Sequence, residues 1–184
     1  MPTKIIGVCG SLRKQSFNMY ALKAAQKLVP AEAAIDIYDI AGLPLYNQDE
    51  EQNPTPKVTD FKAKIRAADA VLFATPEYNY SIPGVLKNAI DNAARPYGDS
   101  AWKDKPVAMI GASVGVLGTA RAQYHLRQCF VFLNMYPINQ PEVFIRECAN
   151  KFDAQGNLTD ETAKKLIQTL LQNLVAHTKR MKAA

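Results

Sequence analysis

Apolar positions along the chain follow two alternating patterns. Short, nearly continuous apolar runs occur at Lys4–Cys9 (KIIGVC), Ala34–Asp39 (AIDIYD), Ala70–Ala74 (AVLFA) and Val107–Ala112 (VAMIGA). Runs of this length and β-branched content predict strands buried on both faces of a parallel sheet. Between them the apolar residues recur at helical spacing. Phe17, Tyr20, Ala21, Ala24, Ala25 and Leu28 predict a helix over Phe17–Val29, closed by Pro30. Phe61 and Ile65 mark a second helix over Val58–Ala68, and Val85, Leu86, Ala89 and Ile90 a third over Gly84–Ala94. A fourth is predicted over Thr119–Leu133. A fifth is capped by Asn157–Asp160 and runs to about Met181, with acids leading and bases trailing as the helix dipole prefers. Ile138–Ile145 predicts a short fifth strand, in which Pro141 marks an edge or a break.

The order is strand, helix, strand, helix throughout, with no internal repeat. It predicts one α/β domain over residues 1–184, with a doubly wound five-stranded parallel sheet in the flavodoxin-like order 2-1-3-4-5. Ligands of such sheets bind outside the carboxyl ends of the strands. Three loops lie there: Gly10–Asn18 after the first strand, Thr75–Pro83 after the third and Ser113–Gly118 after the fourth. The long segment from residue 41 to 56 after the second strand is also within reach of that rim.

Composition narrows the classes. No apolar run approaches the length of a membrane span, and the N-terminal residues lack the pattern of a secretory signal. Three cysteines without CxxC spacing argue against a disulfide framework or a structural zinc site and suit a reducing cytoplasm. The net charge of +5 is spread out; only Lys179-Arg180 and Lys182 form a run, so nucleic acid is not expected as a partner.

The first loop brings Ser11, Arg13, Ser16 and Asn18 to a helix N-terminus, which suits a phosphate. It matches neither the dinucleotide fingerprint nor a Walker loop. The second loop is dense in prolines and tyrosines (Pro76, Tyr78, Tyr80, Pro83) and suits one wall of a pocket for a flat, polar-edged ring. The third has small residues that let backbone approach such a ring. Capping, turn stiffening and simple turns are the plain alternatives for the three loops, and it is their convergence on one rim that favours a ligand. No catalytic side chain and no metal site are expected. His125 and His177 have no Ser, Cys or acid placed beside them in sequence, Cys9 reads as core, and Asp49-Glu50-Glu51 reads as a solvated acidic stretch. A cofactor that carries the chemistry itself is the expectation.

From about Lys4 to Leu174 the chain resembles the NADPH-dependent FMN reductase family, flavodoxin-like enzymes that include quinone, chromate and azo-dye reductases. The resemblance is carried by Gly10-Ser11-Leu12-Arg13 with Ser16-Phe17-Asn18, by Thr75–Asn79 with Ser81–Gly84 and Leu86–Asp91, and by Gly111-Ala112-Ser113 with Gly115 and Gly118. It implies that Ser11, Arg13, Ser16, Phe17 and Asn18 hold the FMN phosphate. It implies that Pro76, Glu77, Tyr78, Asn79 and Tyr80 line the isoalloxazine ring, with Ser113 and Gly115 flanking it. A ping-pong NAD(P)H oxidoreductase is expected, in which NADPH or NADH reduces the flavin and a quinone, free flavin, chromate or azo compound reoxidises it. A flavodoxin-type electron carrier and a non-catalytic flavin-binding module are the competing readings; carriers of that kind are usually acidic. Family members are usually homodimers, and some pair into tetramers. The helix over Thr119–Leu133 is the expected contact surface, with Glu142 pairing Arg121. Many relatives carry Trp, Pro and Gly where this chain has Asn92, Val114 and Thr119.

Overall fold

The computed structural model describes residues 2–183. The strands are β1 (Thr3–Cys9), β2 (Ala33–Tyr38), β3 (Ala70–Ala74), β4 (Pro106–Ala112), β5 (Tyr136–Pro137) and β6 (Val143–Ile145). The helices are α1 (Phe17–Leu28), α2 (Pro56–Ala67), α3 (Gly84–Ala94), α4 (Ala120–Leu133) and α5 (Glu161–Ala183). The sheet runs β2-β1-β3-β4-β5 and every pair is parallel. Ile5 lies opposite Ile35, Ile6 opposite Val71, and Val71 opposite Val107.

The sheet separates two apolar layers. Ala21, Leu22 and Ala25 of α1 pack with Ile167, Leu170 and Leu174 of α5 on one face. Phe61 and Ile65 of α2, Leu86 and Ile90 of α3, and Leu126 and Phe130 of α4 pack on the other. This explains the unbroken burial of β3 and β4, which are covered on both sides. The single tryptophan, Trp102, is fully buried in the second layer, where its indole N–H donates to the Ile90 carbonyl at 3.0 Å.

The expected fifth strand is two strands. β5 pairs with the start of β4 (Pro106 with Tyr136) and β6 with its end (Ile110 with Val143). The intervening backbone leaves the sheet, because Pro137 and Pro141 have no N–H to give the ladder. Arg127 of α4 holds the excursion, donating to the Ile138 carbonyl and to Asn139 Oδ1. The helix boundaries follow local chemistry. Thr55 and Pro56 start α2 two residues earlier than its apolar pattern, with proline at N1. Asp160 caps α5 by accepting from the Ala163 N–H at 2.7 Å.

The loop after β2 lies along the flank of α3. Asn88 accepts from the Tyr46 N–H and donates to the Pro44 carbonyl, and Asn92 donates to the same carbonyl at 3.0 Å. Glu51 is not solvated: its carboxylate pairs with Arg95 at 2.9 Å and accepts from the Tyr46 hydroxyl. Arg95 and that hydroxyl hold the carboxyl below its ordinary range.

Candidate functional site

The loops after β1, β3 and β4 share the carboxyl edge of the sheet. Gly10 N–H donates to the Ala74 carbonyl and Thr75 N–H to the Ile110 carbonyl, so the three strand ends are laced together just below the loops.

The first loop ends at Ser16, the N-cap of α1, whose Oγ accepts from the Met19 N–H at 3.3 Å. Among the described residues the Phe17 and Asn18 N–H groups have no acceptor within the protein. Such first-turn groups, with the positive end of the helix dipole, favour an anion. Arg13 is exposed above them, 6.0 Å from the Phe17 ring centroid. Ser11 Oγ accepts from the Arg13 N–H. Asn18 is buried, and its amide bridges α1 to β4: Nδ2 donates to the Ala112 carbonyl at 2.9 Å, and Oδ1 accepts from the Ala112 N–H at 2.8 Å. Its oxygen is therefore committed to the fold, and only its second N–H is free for a ligand.

The second loop is a tight two-residue turn. Tyr78 and Ser81 exchange both backbone hydrogen bonds, at 3.0 and 2.9 Å, and Asn79 and Tyr80 between them have φ of 51° and 66°. Two positive φ values at the tip define a type I′ turn, which Asn tolerates well and Tyr poorly. The turn leaves both tyrosines exposed and, among the described residues, leaves the N–H groups of Glu77, Asn79 and Tyr80 without acceptors. Pro76 is buried at its base.

Glu77 points the other way, into the start of α4. Its carboxylate pairs with Arg121 and accepts from the Ala122 N–H at 3.2 Å, so a residue of the third strand's loop caps the fourth helix. The Arg121 guanidinium lies 3.7 Å from the Tyr80 ring centroid. Within the chain Arg121 is held by Glu77, which would compete with the pairing to Glu142 expected across a contact surface, while the neighbouring Glu142 raises the pKa of the Tyr124 phenol. One helical turn on from Arg121, His125 Nδ1 hydrogen-bonds Ser81 Oγ at 2.6 Å. Sequence reasoning left His125 without a serine partner, because a separation of 44 positions gives no hint that α4 runs back under the turn.

The third loop is stitched to the segment after β6. Ser113 N–H donates to the Ile145 carbonyl, Cys148 N–H to the Ser113 carbonyl, and Glu147 N–H to the Gly115 carbonyl. Residues 145–148 thus form a further wall that sequence reasoning missed; only the observed pairing of β6 with β4 brings it to the rim. Ser113 Oγ accepts from the Gly115 N–H at 3.1 Å, and Gly115 is open to solvent. Val114, Val116 and Leu117 are exposed here, and with Leu12, Tyr78, Tyr80 and Tyr124 they account for most of the large apolar side chains the surface leaves uncovered. Asn92, 8% exposed on α3, faces the loop after β2 and not the tyrosine turn.

The thiols are quiet. Burial pushes the Cys9 thiol up against the opposing hydrogen bonds from the Ser11 backbone and Ser16 hydroxyl, and burial pushes Cys148 up to about 11. Among the described residues no group of His, Cys, Asp and Glu could hold a metal ion, and no helix is long and apolar enough to cross a membrane.

The sheet order and its two helical layers define the flavodoxin-like class of α/β proteins. The chain belongs to the NADPH-dependent FMN reductase family, whose model matches residues 3–150. It is an NAD(P)H-dependent flavin oxidoreductase with FMN as its cofactor. It is 53% identical over 180 residues to the NAD(P)H-dependent FMN reductase of Pseudomonas aeruginosa, covering 97% of both chains. It is 46% identical over 176 residues to a 2-hydroxy-1,4-benzoquinone reductase of a Burkholderia species, covering 96% of both. Among solved structures it is similar to the flavoenzyme NAD(P)H:(acceptor) oxidoreductase FerB of Paracoccus denitrificans, with a TM-score of 0.89 and 38% identity over 97% of this chain and 98% of that one.

Proposed function

We propose that the three loops form one FMN site, and that the protein uses it to pass a hydride from NADPH or NADH to a quinone by a ping-pong cycle. The observation that carries this reading is the set of unpartnered backbone N–H groups at two places on one rim: the first turn of α1 and the turn after β3. The first set, with Ser11, Ser16 and Arg13, suits a phosphate; the second, flanked by exposed tyrosines, suits the polar edge of a flat ring. FMN supplies the hydride-accepting and hydride-donating ring.

The protein's own contribution is position and electrostatics. The N–H groups of Glu77, Asn79 and Tyr80 are fixed donors for negative charge on the ring edge. Tyr78 and Tyr80, both exposed on the turn, would flank the slot over the ring face that nicotinamide and acceptor take in turn. Ser113 and Gly115 close the opposite side with little bulk. Free flavin, chromate and azo compounds would be alternative acceptors at the same ring face. The names of the relatives, a benzoquinone reductase among them, support a quinone first.

We further infer that a second copy of the chain covers α4. Tyr124, Val131 and Phe132 are exposed along it, and Phe132 borders a groove of about 550 Å³ with Ile90, Tyr97 and Cys129. Apolar exposure of this extent marks an interaction surface.

The reading is tested by a visible spectrum of the purified protein with FMN, followed by anaerobic NADPH. A bound-flavin band that bleaches on mixing and returns with a quinone is expected. Protein that does not bind FMN, or whose bound flavin NADPH leaves oxidised, would refute it.

A further inference from the structure

The tyrosine turn is not held by its own strand alone. Arg121 and His125 lie one helical turn apart on one face of α4, and each grips a different part of the loop after β3. Arg121 takes Glu77 and the Tyr80 ring, and His125 Nδ1 takes Ser81 Oγ at 2.6 Å. Ser81 is the residue that closes the type I′ turn, through both backbone bonds to Tyr78. The two sides of the turn are therefore anchored separately. Glu77 fixes the limb that enters it, and Ser81 the limb that leaves.

We propose that His125 is a positioning residue for the reductase reaction: through Ser81 it sets the spacing and tilt of Tyr78 and Tyr80, and so governs how tightly the slot holds its planar guest. Two further observations support this. Tyr80 sits at φ of 66°, a conformation a bulky side chain adopts only when its surroundings impose it, and the side-chain grips on the turn come from α4. His125 and Ser81 are also partly or fully exposed, so the bond between them adds little to the core that folds the chain, and its consequence falls on the turn. The inference rests on the reading that the turn walls the slot.

The contact itself is read without turnover. The chain has two histidines, so the ring nitrogens of His125 are readily assigned by nitrogen-15 NMR of the FMN-loaded protein. Ser81→Ala is expected to shift the Nδ1 resonance of His125 and leave that of His177 in place. The consequence is read in steady-state kinetics of the holoenzyme with NADPH and a benzoquinone. His125→Ala is expected to raise KM for the quinone about fivefold to tenfold, the loss of one well-formed hydrogen bond, with a smaller fall in kcat. His125→Asn, whose amide can reach Ser81 from the Nδ1 position, restores most of it, and His125→Gln restores less. Ser81→Ala combined with His125→Ala costs no more than either alone. An Nδ1 resonance indifferent to Ser81→Ala overturns the contact. An active wild type whose KM is unmoved by His125→Ala, or an effect that Asn does not rescue, overturns the positioning role alone. A wild type that binds FMN but does not oxidise NADPH overturns the proposed function as well.

Discussion

Asn18 and Glu77 each carry two meanings, and their surroundings separate them. In the sequence both belong to motifs around a ligand. In the folded chain Asn18 bridges α1 to the Ala112 backbone, and Glu77 caps α4. Their partners lie 94 and 45 residues away, a distance no local pattern spans. Thr119 is the clearest departure with a structural price. It is buried at φ of 75°, a conformation that favours glycine, and its Oγ1 accepts from Gln123 at 3.1 Å. Gly111 makes this possible, since a Cβ there would overlap Thr119 Oγ1 and come within 2.8 Å of the Thr75 carbonyl oxygen. Gly111→Ala should therefore lower stability by about 1–3 kcal/mol in chemical denaturation. Adding Thr119→Gly should recover only part of that, because the Thr75 carbonyl remains in the way. Thr119→Gly alone should be nearly neutral, with relief of about 1–2 kcal/mol of left-handed strain offset by the lost hydrogen bond. Full recovery in the double variant would mean that Thr119 is the whole obstacle.

At the scale of elements, strands and helices were legible because their apolar periods differ, and the boundaries moved by a residue or two where caps and proline decided them. The division of the fifth strand was legible only as a break at Pro141. That both pieces return to β4, and that residues 145–148 then wall the third loop, depends on pairings the sequence does not encode locally. The loop after β2 was legible as long but not as fastened: Asn88, Asn92 and Arg95 are spaced to meet it along one face of α3. For α4 the periodicity predicts the helix and leaves its outer face unassigned. If that face joins two copies, Phe132→Glu should shift the protein to half its mass in sedimentation equilibrium. A mass unaltered from a wild-type dimer would remove α4 from the interface, and a monomeric wild type would remove the dimer itself.

For the whole molecule, ion pairs tie the periphery of the two-layered sheet. Asp69 bonds the Lys4 N–H and Lys182, Asp99 meets Lys62 and Arg66, and Glu51 meets Arg95. The carboxyl pKa of each is depressed in the folded chain: Asp99 chiefly by the Lys62 ammonium, Glu51 chiefly by Arg95, and Asp69 despite burial, which acts the other way, by Lys182 and the Lys4 N–H. A depressed folded pKa contributes stability that is present above the unfolded value and lost as pH falls through the folded one. Thermal midpoints should thus hold steady above about pH 5 and decline below about pH 4, where the unfolded carboxyls take up protons first. A midpoint that does not change between pH 7 and 3 would show that these pairs contribute nothing to the fold. By itself the sequence determined the alternation of elements, the strand order and the three loops that meet on one edge, because apolar period, turn residues and crossover handedness act locally or by general rule. Only the tertiary structure decided which side chains in those loops fasten the frame and which stay exposed on the rim. Those bonds join Asn18 to β4, Glu77 to Arg121 and Ser81 to His125, residues far apart in the chain that only the packing of α1 and α4 against the sheet brings together.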